Sequence, residues 1–383
     1  MTSRSLVILL FSAWLISASA NQANEPAFYT VEGEWGKLQC YDVVIAPPAA
    51  TLWESLYEER SLWPFEGLSR IEVDELFAEL GFSPETIATI SNDSSWNKTT
   101  AELEVGDRAI EALSPTDRTA IFTWWETQFP GYIDRLVINF EDRNLTAIAK
   151  ELPREMMDKL QRVIFYRGEV TSTLDRPYLL RQLKTREEKE HLLRTILTTH
   201  ALIVRLEVDP DSEADSIIKY WEAGGLNPRV RVLIEGLYTT EGVDHLDILH
   251  LLPLMPRKYL NNFTVLQDVN PHNTPDCFWT STQFFNFNTS SRSFDSLPVE
   301  HFLDKDYEEI SGPLQFGDLV CLFDKDTKEF IHSYTHIAGD LVFTKNGGSF
   351  LRPWVISTKA FMLSLYTDNS GLITKIFRRK LGS

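Results

Sequence analysis

The sequence predicts an α+β protein in two parts: a mainly helical N-terminal segment, then a C-terminal segment in which a helix packs on an antiparallel sheet. Three observations lead to that expectation. Helix-start signals crowd the region before residue 242: Thr51 with Glu54 and Ser69 with Glu72 have capping-box spacing, and Ser114 stands as an N-cap before Pro115. After Pro275 the pattern changes to one apolar run opened by Asp276-Cys277, followed by the strand-like runs GDLVCLF and FIHSYTHIAGDLVFTKNG. Finally, the chain has 383 residues, and single cores tend to stop growing near ~250–300.

In chain order, residues 1–20 read as a leader. Arg4 supplies the positive start, Leu6 to Ile16 the apolar run, and Ala18-Ser19-Ala20 the small-residue cleavage site. The expectation is an exported protein, periplasmic or extracellular, beginning near Asn21. The first cysteine after the leader is Cys40, too distant for a lipid-anchored start. No later apolar run approaches the ~20 residues that span a bilayer, so no membrane span is expected once the leader is removed.

Residues 21–242 form the expected helical part. Ala27 to Ile45 is strand-like and stops at Pro47-Pro48, and Gly81 closes the helix that Ser69 opens. The run IFTWWETQF after Pro115 ends at Pro130, with Trp124 and Trp125 read as packing residues. Helical patterns continue over 144–152, 153–166 and 175–199, where KTREEKEH is a solvated face. Residues 200–208 alternate as a strand, and Ser212 to Ala223 is a short helix ended by Gly224. Pro253 and Pro256 punctuate the chain beyond a boundary near Gly242, and residues 243–383 make the second part.

The formal charge is −18, and loss of Arg4 makes the mature chain one unit more negative. Such a surface repels nucleic acid and anionic lipid, which are excluded as partners. Lys375, Arg378, Arg379 and Lys380 read as the solvated end of a terminal strand. His245 and His250 are five apart and share no helical face, and DKDTKE lacks the central glycine and distal glutamate of a calcium loop, so it reads as a hairpin turn. No cofactor or metal is expected. Five Asn-x-Ser/Thr sequons occur, at Asn92, Asn97, Asn144, Asn262 and Asn288, and they matter only in a eukaryotic secretory route.

Three cysteines leave at least one thiol unpaired. Either Cys40 bridges Cys321, or Cys321 is a buried core thiol and Cys40 is free. Cys277 is the candidate nucleophile. A helix start lowers a thiol pKa through free N–H groups and the end of the helix dipole, and the peptide N–H of Cys277 is a natural oxyanion donor. His332 and His336 are four apart on a strand and point to one face. Asp276 reads chiefly as the helix cap.

These parts, in this order, resemble the NlpC-like branch of the papain-fold cysteine peptidases over roughly the last 140 residues. The family's Asp-Cys helix start corresponds to Asp276-Cys277, its Gly-Asp strand to Gly317 through Val320, and its histidine strand to His332. Its second polar position falls at Thr344 or at Asn346, two residues on. Phe278 and Trp279 replace the usual Ser-Gly, and no further histidine follows in LVFTKNG.

The resemblance implies thiol-dependent hydrolysis of an amide bond, with a peptide or a peptidoglycan stem peptide as substrate. Cys277 would attack and His332 act as base and then acid, oriented by Asn346 in preference to Thr344. His336, Asp276 and Trp279 would line the substrate cleft, and Lys345 would point away. The rivals are an exported binding or structural protein that has lost activity, its aromatic-rich N-terminal part performing recognition, and an acyltransferase using the same thiol.

Overall fold

The computed structural model describes residues 28–381 except 58–59, 130–136, 141–144, 168–169, 209–213, 265–274, 287–302, 304 and 367–370. The expected leader and the sequons at Asn144 and Asn288 lie outside the described residues. Helices and antiparallel sheets combine in an α+β fold, as the sequence predicts.

Two strands, β1 (Phe28–Gly33) and β2 (Gly36–Ile45), open the chain as a hairpin turned by Gly36 at φ +90°. Small sheets follow within the helical region. β3 (Ser61–Pro64), β4 (Ser94–Asn97) and β5 (Glu102–Val105) form one, and β6 (Ile138–Phe140), β7 (Ile164–Arg167) and β8 (Val170–Thr173) the other. Strands β9 (Thr199–Glu207) and β10 (His245–Asp247) then complete a four-stranded sheet in the order β1-β2-β9-β10. The last sheet has six antiparallel strands: β11 (Tyr307–Ile310), β12 (Leu319–Asp324), β13 (Phe330–Ala338), β14 (Leu341–Lys345), β15 (Trp354–Thr358) and β16 (Leu372–Arg379). Their spatial order is β11-β16-β12-β13-β14-β15.

The local cap chemistry forms as written. Ser69 and Glu72 make a reciprocal capping box, Ser114 does the same with Asp117 beside Pro115, and Gly81 takes φ +88° after the first of these helices. Thr51 does not start a helix. The first one begins at Ala49, and the Pro48 carbonyl accepts from the amides of Thr51 and Leu52. The helical run expected over 175–199 breaks in two, Arg176–Arg181 and Arg186–Ile196, because Thr185 and Glu188 form a new capping box between them. The run over 153–166 is helical only to Arg162, since Ile164 and Phe165 are drawn into β7 by pairing with β8.

Hydrophobic packing divides the chain differently from the expected boundary near Gly242. One core gathers side chains from Leu52 to Leu197, among them Trp63, Phe65, Phe77, Phe122 and Trp125, and from the far end takes in Leu351 with Phe350 packed against it. Trp125 is buried, meets Trp63 edge-on and donates its indole N–H to the Pro64 carbonyl, so the aromatic run is packing. Arg118, on the same helix, is buried and donates to Asp175 and to the Ile110 carbonyl. A second core joins Leu38 and Cys40 to Leu202, Trp221 and Ile234, and these to Trp279, Phe343 and Trp354. The cause is the pairing of β2 with β9 from Lys37↔Glu207 to Ile45↔Thr199, which returns the chain to its own beginning.

The six-stranded sheet is covered on both faces. The helix Cys277–Thr282 lies on one, over Phe343, Trp354 and Ile356, and the helix Lys359–Ser364 lies on the other, where Met362 packs with Val320, Leu322, Tyr334 and Val342. The Gly-Asp pair before β12 has a structural account. Asp318 is buried, accepts two hydrogen bonds from Arg378 at 2.8 and 2.7 Å and another from the Gln315 amide at 2.7 Å. Arg378 is therefore part of the sheet's internal bonding rather than a free solvated end.

Gly317 takes φ +88°, and a Cβ there would lie 2.2 Å from the Phe285 ring. Gly317→Ala combines left-handed strain with overpacking, and we expect a loss of roughly 2–5 kcal/mol. Urea denaturation checks this, and an unchanged midpoint would contradict the account.

Candidate thiol site

Asp276 opens the short helix, its Oδ1 accepting the Trp279 amide at 2.8 Å. The helix has six residues, so few peptide dipoles add up behind the thiol. Cys277 is only 6% exposed. The backbone of Ser333 and of Phe278 and the Lys345 charge favour the thiolate. These effects lose to burial and to the neighbouring Asp276 charge, which together push the thiol up to about 12. The expectation of a depressed thiol pKa is corrected accordingly, because at a buried position desolvation of the thiolate outweighs the backbone groups and the Lys345 charge that favour it.

Alternation along β13 decides what faces the thiol. Ser333 donates through its hydroxyl to Ser281 Oγ at 3.3 Å, and Ser281 in turn donates to the Cys277 carbonyl at 3.0 Å, so Ser333 points to the Cys277 helix. His332, one residue earlier, points to the opposite face. There its ring stacks on Tyr366 at 4.3 Å, beside the cluster of Val320, Leu322, Tyr334, Val342 and Met362. The structure thus turns the Ser333 side chain toward the Cys277 helix and the His332 imidazole away from it. Burial holds His332 down to about 3, and no other cause contributes.

The partner of the imidazole is Thr344, whose Oγ1 lies 3.0 Å from His332 Nε2, both residues being fully buried. The expectation that Asn346 fills this place is not met. β14 ends at Lys345, Asn346 leaves the ladder just before Gly347 at φ +81°, and its Oδ1 has no hydrogen-bond partner among the described residues.

The remaining residues expected at a cleft are packed. Trp279 is 6% exposed and lies against Tyr259 and Trp354. Asp276 is engaged as the cap. His336 is buried, with Nε2 3.4 Å from Tyr220 Oη, and burial, helped by the Lys359 charge and opposed by Asp318, lowers it to about 4.

Sequence reasoning did not place Ser281, Ser333, Cys321 and Lys345 on the face that carries the thiol helix. Lys345 does point away from Thr344, but strand alternation then sends it to the thiol face. It is fully buried there, donating to the carbonyls of Gly347 at 3.0 Å and Ser349 at 2.6 Å and lying over the Trp354 ring. A signal existed in the parity of Ser333 and Lys345 along their strands, but it becomes usable only once the Cys277 helix is assigned to one face.

Among the described residues no three His, Cys, Asp or Glu side chains converge as a metal site, and no helix is long and apolar enough to cross a membrane. No family model, curated protein or solved structure matches the chain. Chemically, the arrangement holds a thiol whose pKa burial raises and an imidazole whose pKa burial lowers, on opposite sides of one sheet.

Proposed function

We propose that this chain is an exported binding protein whose papain-like C-terminal part is a structural platform rather than a thiol hydrolase. One observation carries the reading: the His332 ring and the Cys277 thiol lie on opposite faces of the six-stranded sheet. General-base activation needs the base within hydrogen-bond reach of the nucleophile, about 2.6–3.2 Å or through one water.

The aromatic run around Trp124 and Trp125 is packed into the first core, so recognition belongs elsewhere on the N-terminal part. A groove of about 460 Å³ runs along the β3-β5-β4 sheet, lined among others by Arg60, Trp96, Lys98, Glu102 and Glu104. Two cations and two carboxylates around an indole suit a ligand that carries both charges on a short backbone, as a peptide or peptidoglycan stem peptide does.

Isothermal titration with a purified stem tetrapeptide tests this. We expect binding that weakens about tenfold or more in Arg60→Ala/Lys98→Ala, in line with charge pairs in a partly closed groove. Equal affinity in the wild type and the double variant would remove the groove from the reading.

The second reading, the thiol hydrolase, is favoured by the two amides and the Lys345 charge around the sulfur, and by Thr344 standing beside His332 at the family's polar position. Incubation with muropeptides and mass analysis of new termini separates the two. Turnover that vanishes in Cys277→Ala would establish the hydrolase and overturn the platform.

A further inference from the structure

Two of the three cysteines converge on one residue. In the β12–β13 register Cys321 stands directly opposite Ser333, and Ser333 reaches across to Ser281, one turn beyond Cys277 on the facing helix. Phe278, next to Cys277, packs on the small cluster that contains Cys321. Cys321 and Cys277 therefore sit on the same face of the sheet, in the layer between β12, β13 and the helix Cys277–Thr282. Cys40 lies apart, in β2 within the other core. All three are free thiols in this structure.

We infer that Cys277 and Cys321 are a disulfide-forming pair, and that the bond pins the N-terminus of the Cys277–Thr282 helix to the central strand β12. Directly opposite residues in an antiparallel pair have Cβ atoms about 4.5–5.5 Å apart. Ser333 thus stands between the two, opposite Cys321 across the ladder and joined through Ser281 to the Cys277 helix, and a disulfide would hold the two cysteine Cβ atoms about 3.5–4.5 Å apart. Neither thiol is available to folded-state oxidants, so the bond forms while the chain folds.

The chemistry balances with a disulfide oxidant. One protein thiolate attacks the oxidant's disulfide, giving a mixed disulfide and releasing one small thiol. The second protein thiolate then displaces the other. The protein loses two hydrogens and two electrons, the new S–S bond forms, and the oxidant leaves as two thiols.

The inference rests on placement alone and does not depend on whether the protein binds or hydrolyses. Refolding of the full chain from denaturant in oxidised and reduced glutathione tests it. The expected result is a fall from three titratable thiols to one, a mass lower by about 2 Da, and a peptide linking Cys277 to Cys321. Cys40→Ser should fall from two thiols to none, whereas Cys321→Ser should keep two thiols or carry glutathione. Three remaining thiols in the refolded wild type, or a bridge that includes Cys40, would overturn the pairing. Because wild-type mapping is itself decisive, a variant that fails to fold leaves the test intact.

Discussion

Iodoacetamide at pH 7 is expected to leave Cys277 of the reduced, folded protein almost unlabelled. A thiol pushed up to about 12 is ionised about a thousandfold or more less than an ordinary one with pKa near 8.5, before any loss of access is counted. The labelling rate should rise steeply in urea, where the chain loses the layer that buries the sulfur. Peptide mapping of Cys277 against pH from 6 to 9 checks this, with Cys40 as an internal comparison because burial pushes it up to about 11. Rapid labelling of Cys277 near pH 6 in the native protein would mean that the site opens to a form with an activated thiolate, and it would favour the hydrolase.

Acid should weaken the fold through the same burial. His332 has a native pKa of about 3 against an unfolded value near 6.5. As pH falls below 6.5 the unfolded chain takes up a proton that the native chain refuses, so stability is fully present above that value and is lost progressively down to about pH 3. One such group contributes a slope approaching 1.4 kcal/mol per pH unit, and on the order of 4–5 kcal/mol across the window. His336, lowered to about 4, adds to the effect over a narrower range. His332→Phe keeps a ring against Tyr366 and cannot titrate. Its urea midpoint should therefore fall less than that of the wild type between pH 7 and 4, with the same m-value. Parallel pH profiles for the two proteins would show that His332 is not buried neutral.

Short-range chemistry was open to reading from the chain. Ser69 with Glu72 and Ser114 with Pro115 start helices where they stand because each cap is made within four residues. The Asp276 cap and the order of thiol helix, Gly-Asp strand and histidine strand were legible for the same reason. Thr185 with Glu188 carried an equally local signal and was passed over inside a charged run.

The sequence by itself determined an α+β chain with a capped cysteine helix, a histidine strand and Thr344 twelve residues beyond His332. The tertiary structure alone decided which side chains share a face. Strand parity says only that His332 and Ser333 point in opposite directions. The choice between them was made when the Cys277 helix packed on the side of Phe343, Trp354 and Ile356 and the Lys359 helix took the other. The pairing of β2 with β9 likewise joins residues 37–45 to 199–207, a contact that no window along the chain contains. Both outcomes follow from apolar burial between distant segments, which is additive over area and carries no address in the local sequence.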